Sequence, residues 1–174
     1  MEKYQLTFTS NFKKIGRILL FLSLPIILIV VTLIIDGNKF SYSNFISTAS
    51  RFWVAISMIS VITIPGILLH YKYYQTDKKI LLELDKNFLA IHESQGFTKT
   101  SYENILKAEV YTPAWSGKLP WSDYGFTRIF LRNGTQLLYT SLIFDCVSSK
   151  HLYKYYNVSV EEIETFWPWP NKKN

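Results

Sequence analysis

The sequence predicts an α + β membrane protein, in which a two-helix transmembrane hairpin is followed by a small antiparallel, rolled β domain with a C-terminal helix. The hairpin is predicted by two long apolar runs, residues 18–35 and 52–71, neither of which contains Asp, Glu, Lys or Arg. The domain is predicted by the residues after 78, where apolar and polar side chains begin to alternate as they do in strands. A length of 174 residues allows one modest domain with accessory segments.

Both apolar runs are long enough to cross a bilayer. At ~1.5 Å per helical residue they span about 27 and 30 Å, against a hydrocarbon core of ~30 Å. The first run is also longer than the ~7–15 residues of a signal-peptide core, and residues 34–37 offer no small-residue cleavage site. We therefore expect two retained transmembrane helices, 18–35 and 52–71, joined by a short external loop, 36–51.

The distribution of Lys and Arg predicts the orientation. The N-terminal tail, residues 1–17, carries four of them, and Lys72, Lys78 and Lys79 follow the second run, whereas the connecting loop carries two. Because positively charged flanks stay in the cytoplasm, we expect both termini there.

A cluster of tyrosines lies at the inner end of the second run. Tyr71, Lys72, Tyr73 and Tyr74 combine aromatic rings with a positive charge, as residues at headgroup depth do. We interpret them as membrane-interface residues, and a lipid-specific site is the alternative.

Residues 72–174 predict the cytoplasmic β-rich domain with its helix and tail. About five strands are expected, and Asn133-Gly134 is the strongest hairpin signal because both residue types tolerate positive φ. Phe144, Val147, His151 and Tyr155 follow helical spacing. The expected strands are 79–84, 88–92, 106–112, 126–132 and 136–140, and the expected helix is 144–156.

Two terminal segments carry weaker signals. Residues 3–9 alternate like an edge strand, which suggests that the N-terminal tail joins the domain's sheet. Residues 159–162 have the spacing of a helical capping box, and an aromatic, proline-rich tail follows them.

The residues give little indication of catalysis. The three histidines lie in different predicted elements without carboxylates at ligand spacing, and no Gly-rich loop precedes a helix. One cysteine, Cys146, excludes a disulfide framework. We expect no enzyme activity, no cofactor and no metal.

The net charge of +6 does not indicate a nucleic-acid partner. Residues 1–78 carry 8 Lys and Arg against 3 Asp and Glu, whereas residues 79–174 carry 11 against 10. The basic excess therefore flanks the apolar runs, where it favours a bilayer as partner. The nearly neutral domain lacks the charge that nonspecific nucleic-acid binding requires.

The best candidate for a binding surface is the aromatic segment 111–124. Rigid aromatic side chains beside charges are good interface anchors, although the tryptophans could equally fold back as core. The candidate partner-binding residues are Trp115, Lys118, Trp121 and Tyr124, with Arg128 and Arg132 on the adjacent hairpin.

The order of these parts resembles a known family. LLHYKYYQTDKKILLELDKNFLAIHES begins at Leu68, SYENILKAEVY at Ser101 and LPWSDYGFTRIFLRNGTQLLYTSLIFD at Leu119. Over residues 52–145 this is similar to bacterial pleckstrin-homology-like (PH-like) membrane proteins with two transmembrane helices. The resemblance implies a rolled sheet capped by a helix and a location in the bacterial inner membrane, and it supplies no catalytic or ligand residues.

The leading hypothesis is a non-enzymatic, membrane-anchored module that binds a protein of unknown identity at the cytoplasmic face. A specific form of it is an immunity protein that neutralises a cognate toxin. The alternatives are a lipid or envelope-stress sensor and an accessory subunit of a membrane complex, and homo-oligomerisation is left open.

Overall fold

The computed structural model describes residues 1–35, 41–93, 96–114 and 119–171. One short strand precedes three helices, and a β-rich part containing a fourth helix follows them. The elements are β1 (Glu2–Gln5), α1 (Phe8–Ile35), α2 (Tyr42–Arg51), α3 (Trp53–Asp77), β2 (Leu81–Leu84), β3 (Phe88–Glu93), β4 (Gly96–Ser101), a 3-10 turn (Tyr102–Asn104), β5 (Ile105–Pro113), β6 (Phe126–Leu131), β7 (Gln136–Thr140), α4 (Cys146–Tyr155) and β8 (Ser159–Thr165).

The strands form two four-stranded sheets. The first has the order β1-β2-β3-β4 and is antiparallel, and the second has the order β7-β6-β5-β8. Apolar residues of both sheets, such as Ile91 and Ile129, share one core with Tyr153 of α4. The predicted combination of a β domain and a helix is therefore present, but the second sheet is mixed because β8 runs parallel to β5.

The helices extend beyond the predicted spans. α1 begins at Phe8 rather than at residue 18, and α3 continues to Asp77 rather than ending at 71. Charged residues at the ends of an apolar run mark where the hydrophobic stretch ends. They do not terminate the helix, which continues through them. The expected loop 36–51 contains α2, whose N-terminal Asn44 amide donates to Ser41 Oγ over 3.2 Å; residues 36–40 lie outside the described part.

Two of these helices are long and apolar enough to cross a membrane, by length and composition: α1 and the part of α3 from Ile56 to Asp77. Many of their apolar side chains are exposed in the chain, including Ile27, Ile34 and Val61. Gly66 allows close packing between the two helices, since a Cβ there would lie 3.3 Å from Cδ1 of Ile18.

The N-terminal tail does join the sheet. β1 pairs antiparallel with β2, with Tyr4 opposite Leu82. The alternation hypothesis is therefore confirmed for residues 2–5, whereas residues 8 and 9 already belong to α1. The two long helices are thus inserted between the first two strands of one sheet rather than preceding the domain.

The described part of the chain contains eight strands rather than the expected five. The hairpin around Asn133-Gly134 is confirmed as β6 and β7, with Gly134 at φ 83°. β4 escaped prediction because its sequence, GFTKTS, has a single large apolar residue. The helix suggested for residues 159–162 is wrong, because the edge of β5 pairs with this segment and Lys107 lies 3.2 Å from Glu161 across the two strands.

The second sheet is covered on both faces. Ile129 and Leu131 of β6 face the core shared with the first sheet, as the alternation predicts. On the opposite face, Phe126 packs in a second cluster with Ile18 of α1 and Leu69 of α3. The N-terminal part of α1 and the C-terminal part of α3 therefore take part in the domain's packing.

Candidate functional site at the helix–sheet junction

Most of the predicted partner-binding residues that the structure describes are buried. Trp121, Tyr124 and Arg128 are 4%, 0% and 3% exposed. Packing as core therefore describes Trp121 and Tyr124, because the ends of α1 and α3 cover the outer face of the second sheet. Trp115 and Lys118 lie outside the described residues.

Arg132 is exposed but lies apart from the others. Its guanidinium donates to the carbonyl of Glu103 over 3.0 Å, beside the Asn133-Gly134 turn. Tyr124 precedes the opposite end of β6, about 20 Å away at ~3.3 Å per strand residue. The four predicted residues that the structure describes therefore do not form one surface.

The tyrosine cluster divides in the same way. Tyr71 and Tyr74 are exposed, whereas Tyr73 is fully buried and its hydroxyl donates to the Pro168 carbonyl over 2.7 Å. Consecutive residues of a helix point about 100° apart, so four in a row cannot all face the headgroups. The membrane-interface assignment is corrected for Tyr73, which holds the C-terminal tail against α3.

Polar contacts fix α1 to the segment before β6. The Arg17 guanidinium lies 2.7 Å from the Asp123 carboxylate and 3.1 Å from Ser122 Oγ. The Lys14 ammonium donates to the Asp123 carbonyl and to Ser141 Oγ. Lys14 and Arg17 are three residues apart on one helix face, so the spacing that marks a membrane flank also presents two cations to one partner.

α3 is fixed by two further contacts. His70 Nδ1 lies 2.7 Å from the Tyr124 hydroxyl, and the rings of Tyr73 and Tyr124 meet edge to face at 5.2 Å. At the end of α3, the buried Asp77 carboxylate accepts hydrogen bonds from the backbone amide and hydroxyl of Thr140. Sequence reasoning missed Asp77, although a carboxylate in the last turn of a helix, where the helix dipole disfavours a negative charge, is a signal that it has a partner elsewhere.

A cleft of about 900 Å³ opens beside these contacts. Cationic groups of Lys13, Lys14 and Arg17 line it together with the acidic Asp145 and Glu164. Because its lining carries both charges, the cleft suits the polar surface of a larger partner better than a single small ion. Among the described residues, no group of three or more His, Cys, Asp and Glu side chains is placed to hold a metal.

Cys146 also lines the cleft but is buried. Burial, reinforced by the negative charge of Asp145, raises the pKa of its thiol to about 12. We expect native protein to resist a thiol-specific reagent at mildly alkaline pH, since the thiolate is the reactive form, and to react once unfolded. Because Cys146 is the only cysteine, labelling with and without denaturant measures this directly.

A matched control is Cys146→Ser combined with Ser148→Cys, which moves the thiol to an exposed position of the same helix. This variant is expected to react in the native state. Equal native reactivity of the two proteins would contradict the burial of Cys146.

Comparison with known proteins places this arrangement in a family. A family model described as PH domain matches residues 3–152. The match includes most of β1, the long helices, strands β2 to β7 and most of α4. β8 and the aromatic tail lie beyond the match, and the resemblance expected over 52–145 is thereby extended to the N-terminus. No curated protein and no solved structure matches the chain. The chain, with its helices inserted after the first strand, therefore belongs to a PH domain family.

Proposed function

We propose that this protein is a non-enzymatic module, anchored in a bacterial inner membrane by α1 and α3, that binds a protein partner at the cytoplasmic face. PH-like domains are typically protein- or lipid-binding modules. The observation that carries the proposal is the junction, which joins such a domain rigidly to two helices with exposed apolar surfaces.

The exposed side chains support the membrane anchor. Ile27 is 53% exposed, Ile34 72% and Val61 73%. Exposing such area to water costs about 25 cal/mol per Å², whereas lipid tails match it. The helices are thus unlike the core helix of a soluble protein, whose apolar residues are covered.

The contacts at the junction support the proposed orientation. Lys14 and Arg17, which belong to the basic flank, contact the domain directly. The domain therefore lies at the basic end of the helices, and positive flanks favour the cytoplasmic side.

The cleft and the neighbouring segment 115–118 are the proposed partner surface. The chain enters this segment from Ala114, which lines the cleft, and leaves it at Leu119. It supplies an aromatic and a cationic side chain, Trp115 and Lys118, of the types enriched in interfaces. Trp121, Tyr124 and Arg128 would support this surface from within.

Capture of the partner tests this assignment. We expect Trp115→Ala with Lys118→Ala to reduce co-purification of a specific partner from mild detergent while the thermal unfolding midpoint stays unchanged. The matched control is Arg132→Ala, an exposed cation at the far end of β6, which is expected to leave capture intact. Equal capture by the double variant and the wild-type protein would remove the segment from the proposal.

The identity of the partner defines the finer form of the proposal. An immunity protein would bind a toxin encoded by an adjacent gene and protect cells that express that toxin. Survival of those cells only when this protein is co-expressed would support it, and death in both conditions would exclude this form.

A lipid-binding function is the second candidate, because Lys13, Lys14 and Arg17 line the cleft on the part of α1 that precedes the apolar run 18–35. In that case, reconstituted protein would enrich anionic lipids around itself, and Lys13→Gln would reduce the enrichment. A protein-binding module would show no such preference.

A further inference from the structure

A groove lies between the middle of α3 and the aromatic segments of the domain. Val61, Ile62 and Pro65 form one wall, and Trp121, Phe166 and Trp167 form the other. The groove has a volume of about 410 Å³, within the ~300–1,000 Å³ of small-molecule sites. Leu119 also lines it.

The walls offer an occupant almost nothing polar. The indole nitrogen of Trp121 already donates to the carbonyl of Phe166 over 3.2 Å. Trp121 and Trp167 meet edge to face with their centroids 5.1 Å apart, so they present ring surface to the groove. An occupant without hydrogen-bonding groups therefore fits best.

The groove is continuous with the exposed apolar surface of α3. Val61 belongs to both. Met58, one turn before Val61, and Leu68, one turn after Pro65, are 67% and 54% exposed. If this surface faces lipid, lipid reaches the groove without crossing any polar barrier.

The depth of the groove fits the upper part of an acyl chain. The Lys72 ammonium lies 5.9 Å from the centre of the Trp169 ring, and such lysine–aromatic pairs occur at headgroup depth. Pro65 precedes Lys72 by seven residues, which is about 10 Å along a helix. This exceeds the ~5–8 Å of one interfacial layer, so the groove begins where the hydrocarbon begins.

We propose that the groove holds an acyl chain of a phospholipid in the leaflet on the domain's side, with its headgroup toward Lys72. The inference rests on the proposed membrane anchor and adds to it: the domain is seated in the membrane surface through Trp121 and Trp167. The C-terminal aromatic tail, held by Tyr73, thus forms part of a lipid-binding wall.

Tryptophan quenching by brominated lipid tests the proposal. The full chain carrying Trp53→Phe, Trp115→Phe and Trp169→Phe retains only the two groove tryptophans. It is reconstituted in phosphatidylcholine vesicles with bromine on the upper acyl chain or without bromine. We expect a clear loss of emission in the brominated vesicles.

Two variants separate the groove from the general interface. Val61→Phe fills the groove and is expected to recover emission in brominated vesicles. Val54→Phe is the matched control: it lies two turns away on the same face of α3, is also exposed and does not line the groove. If the triple variant fails to fold, the same pair of substitutions in the otherwise unchanged chain reports the groove-specific part of the quenching.

The outcomes distinguish this inference from the membrane anchor. Protein that washes off vesicles at alkaline pH overturns both. Protein that stays bound but shows no quenching, or equal quenching with Val61→Phe and Val54→Phe, overturns the acyl chain alone. Quenching that develops only on dilution with lipid indicates that a second copy of the chain occupies the groove, which also overturns it.

Discussion

Replacement of Arg128 by methionine is expected to destabilise the protein by about 3 kcal/mol, the lower end of the cost of breaking a buried ion pair, because Glu109 keeps its contact with Lys107. The Arg128 guanidinium lies 3.3 Å from the Glu109 carboxylate and 3.2 Å from the Tyr111 hydroxyl, and it also donates to the Asn171 carbonyl. Arg128 is 3% and Glu109 6% exposed. Methionine has a similar length but leaves Glu109 buried without its guanidinium.

Denaturant unfolding in detergent measures this loss. The matched control is Arg132→Met on the adjacent hairpin, where the exposed side chain predicts a change within about 0.5 kcal/mol. Adding Glu109→Gln to Arg128→Met is expected to recover part of the stability, because it removes the charge of a buried carboxylate that has lost the guanidinium. Equal stability of Arg128→Met and Arg132→Met would show that the ion pair contributes nothing.

The same network predicts a pH dependence. Burial acts to raise the pKa of Glu109, but hydrogen bonds from Lys107 and Tyr111 and the charge of Arg128 together hold it below its ordinary value of 4.5. A lowered pKa in the folded state stabilises the protein above the unfolded value, and this stability is lost as pH falls through the folded value. The stability that the Glu109 carboxylate contributes is therefore lost as the pH falls below 4.5. In Arg128→Met, we expect acid unfolding of the protein at a higher pH.

Replacement of Ile27 by aspartate is the second large effect. Ile27 lies at the centre of the run 18–35 and is 53% exposed. An Asp at the centre of a membrane helix costs about 2.5–3.5 kcal/mol on insertion scales, whereas the same exposed change in water costs about 0.5 kcal/mol or less. We expect a marked loss of protein from the membrane fraction that resists alkaline washing.

Leu106→Asp is the matched control for Ile27→Asp. Leu106 lies on β5 and is 57% exposed, so its replacement introduces the same charge on the domain. It is expected to leave the membrane fraction unchanged. Ile27→Asp that remains in the membrane as fully as Leu106→Asp would argue that α1 does not span a bilayer.

Local patterns predicted those elements whose signal lies in adjacent residues. Asn133-Gly134 predicted a hairpin because Gly134 takes the positive φ that the turn requires. The stripe Phe144, Val147, His151 and Tyr155 predicted a helix that closes the sheet with these residues. The helix is present as α4, but the face it buries is that of Cys146, Ser149 and Tyr153, whereas Val147 and Tyr155 are exposed. β4 and β8 were missed because their strand conformation depends on the partner strand rather than on their own apolar pattern.

The aromatic composition of segment 111–124 located the candidate site. Its described residues Trp121 and Tyr124 pack as core and do not form an exposed binding surface. Trp121 and Tyr124 are unusual for a connector because they belong to the core of the junction. Alternation placed Arg128 on the face of β6 opposite to that of Ile129. Alternation tells which residues share a face, but it does not tell what covers that face.

The sequence by itself determined the two apolar helices, the basic residues that flank them and the nearly neutral domain. Continuous hydrophobicity and net charge are properties of segments. Only the tertiary structure decided that β1 closes the first sheet and that the helix ends cover the second. It thereby turned Tyr73, Trp121 and Arg128 from surface candidates into buried supports, since burial depends on which distant segments pack together.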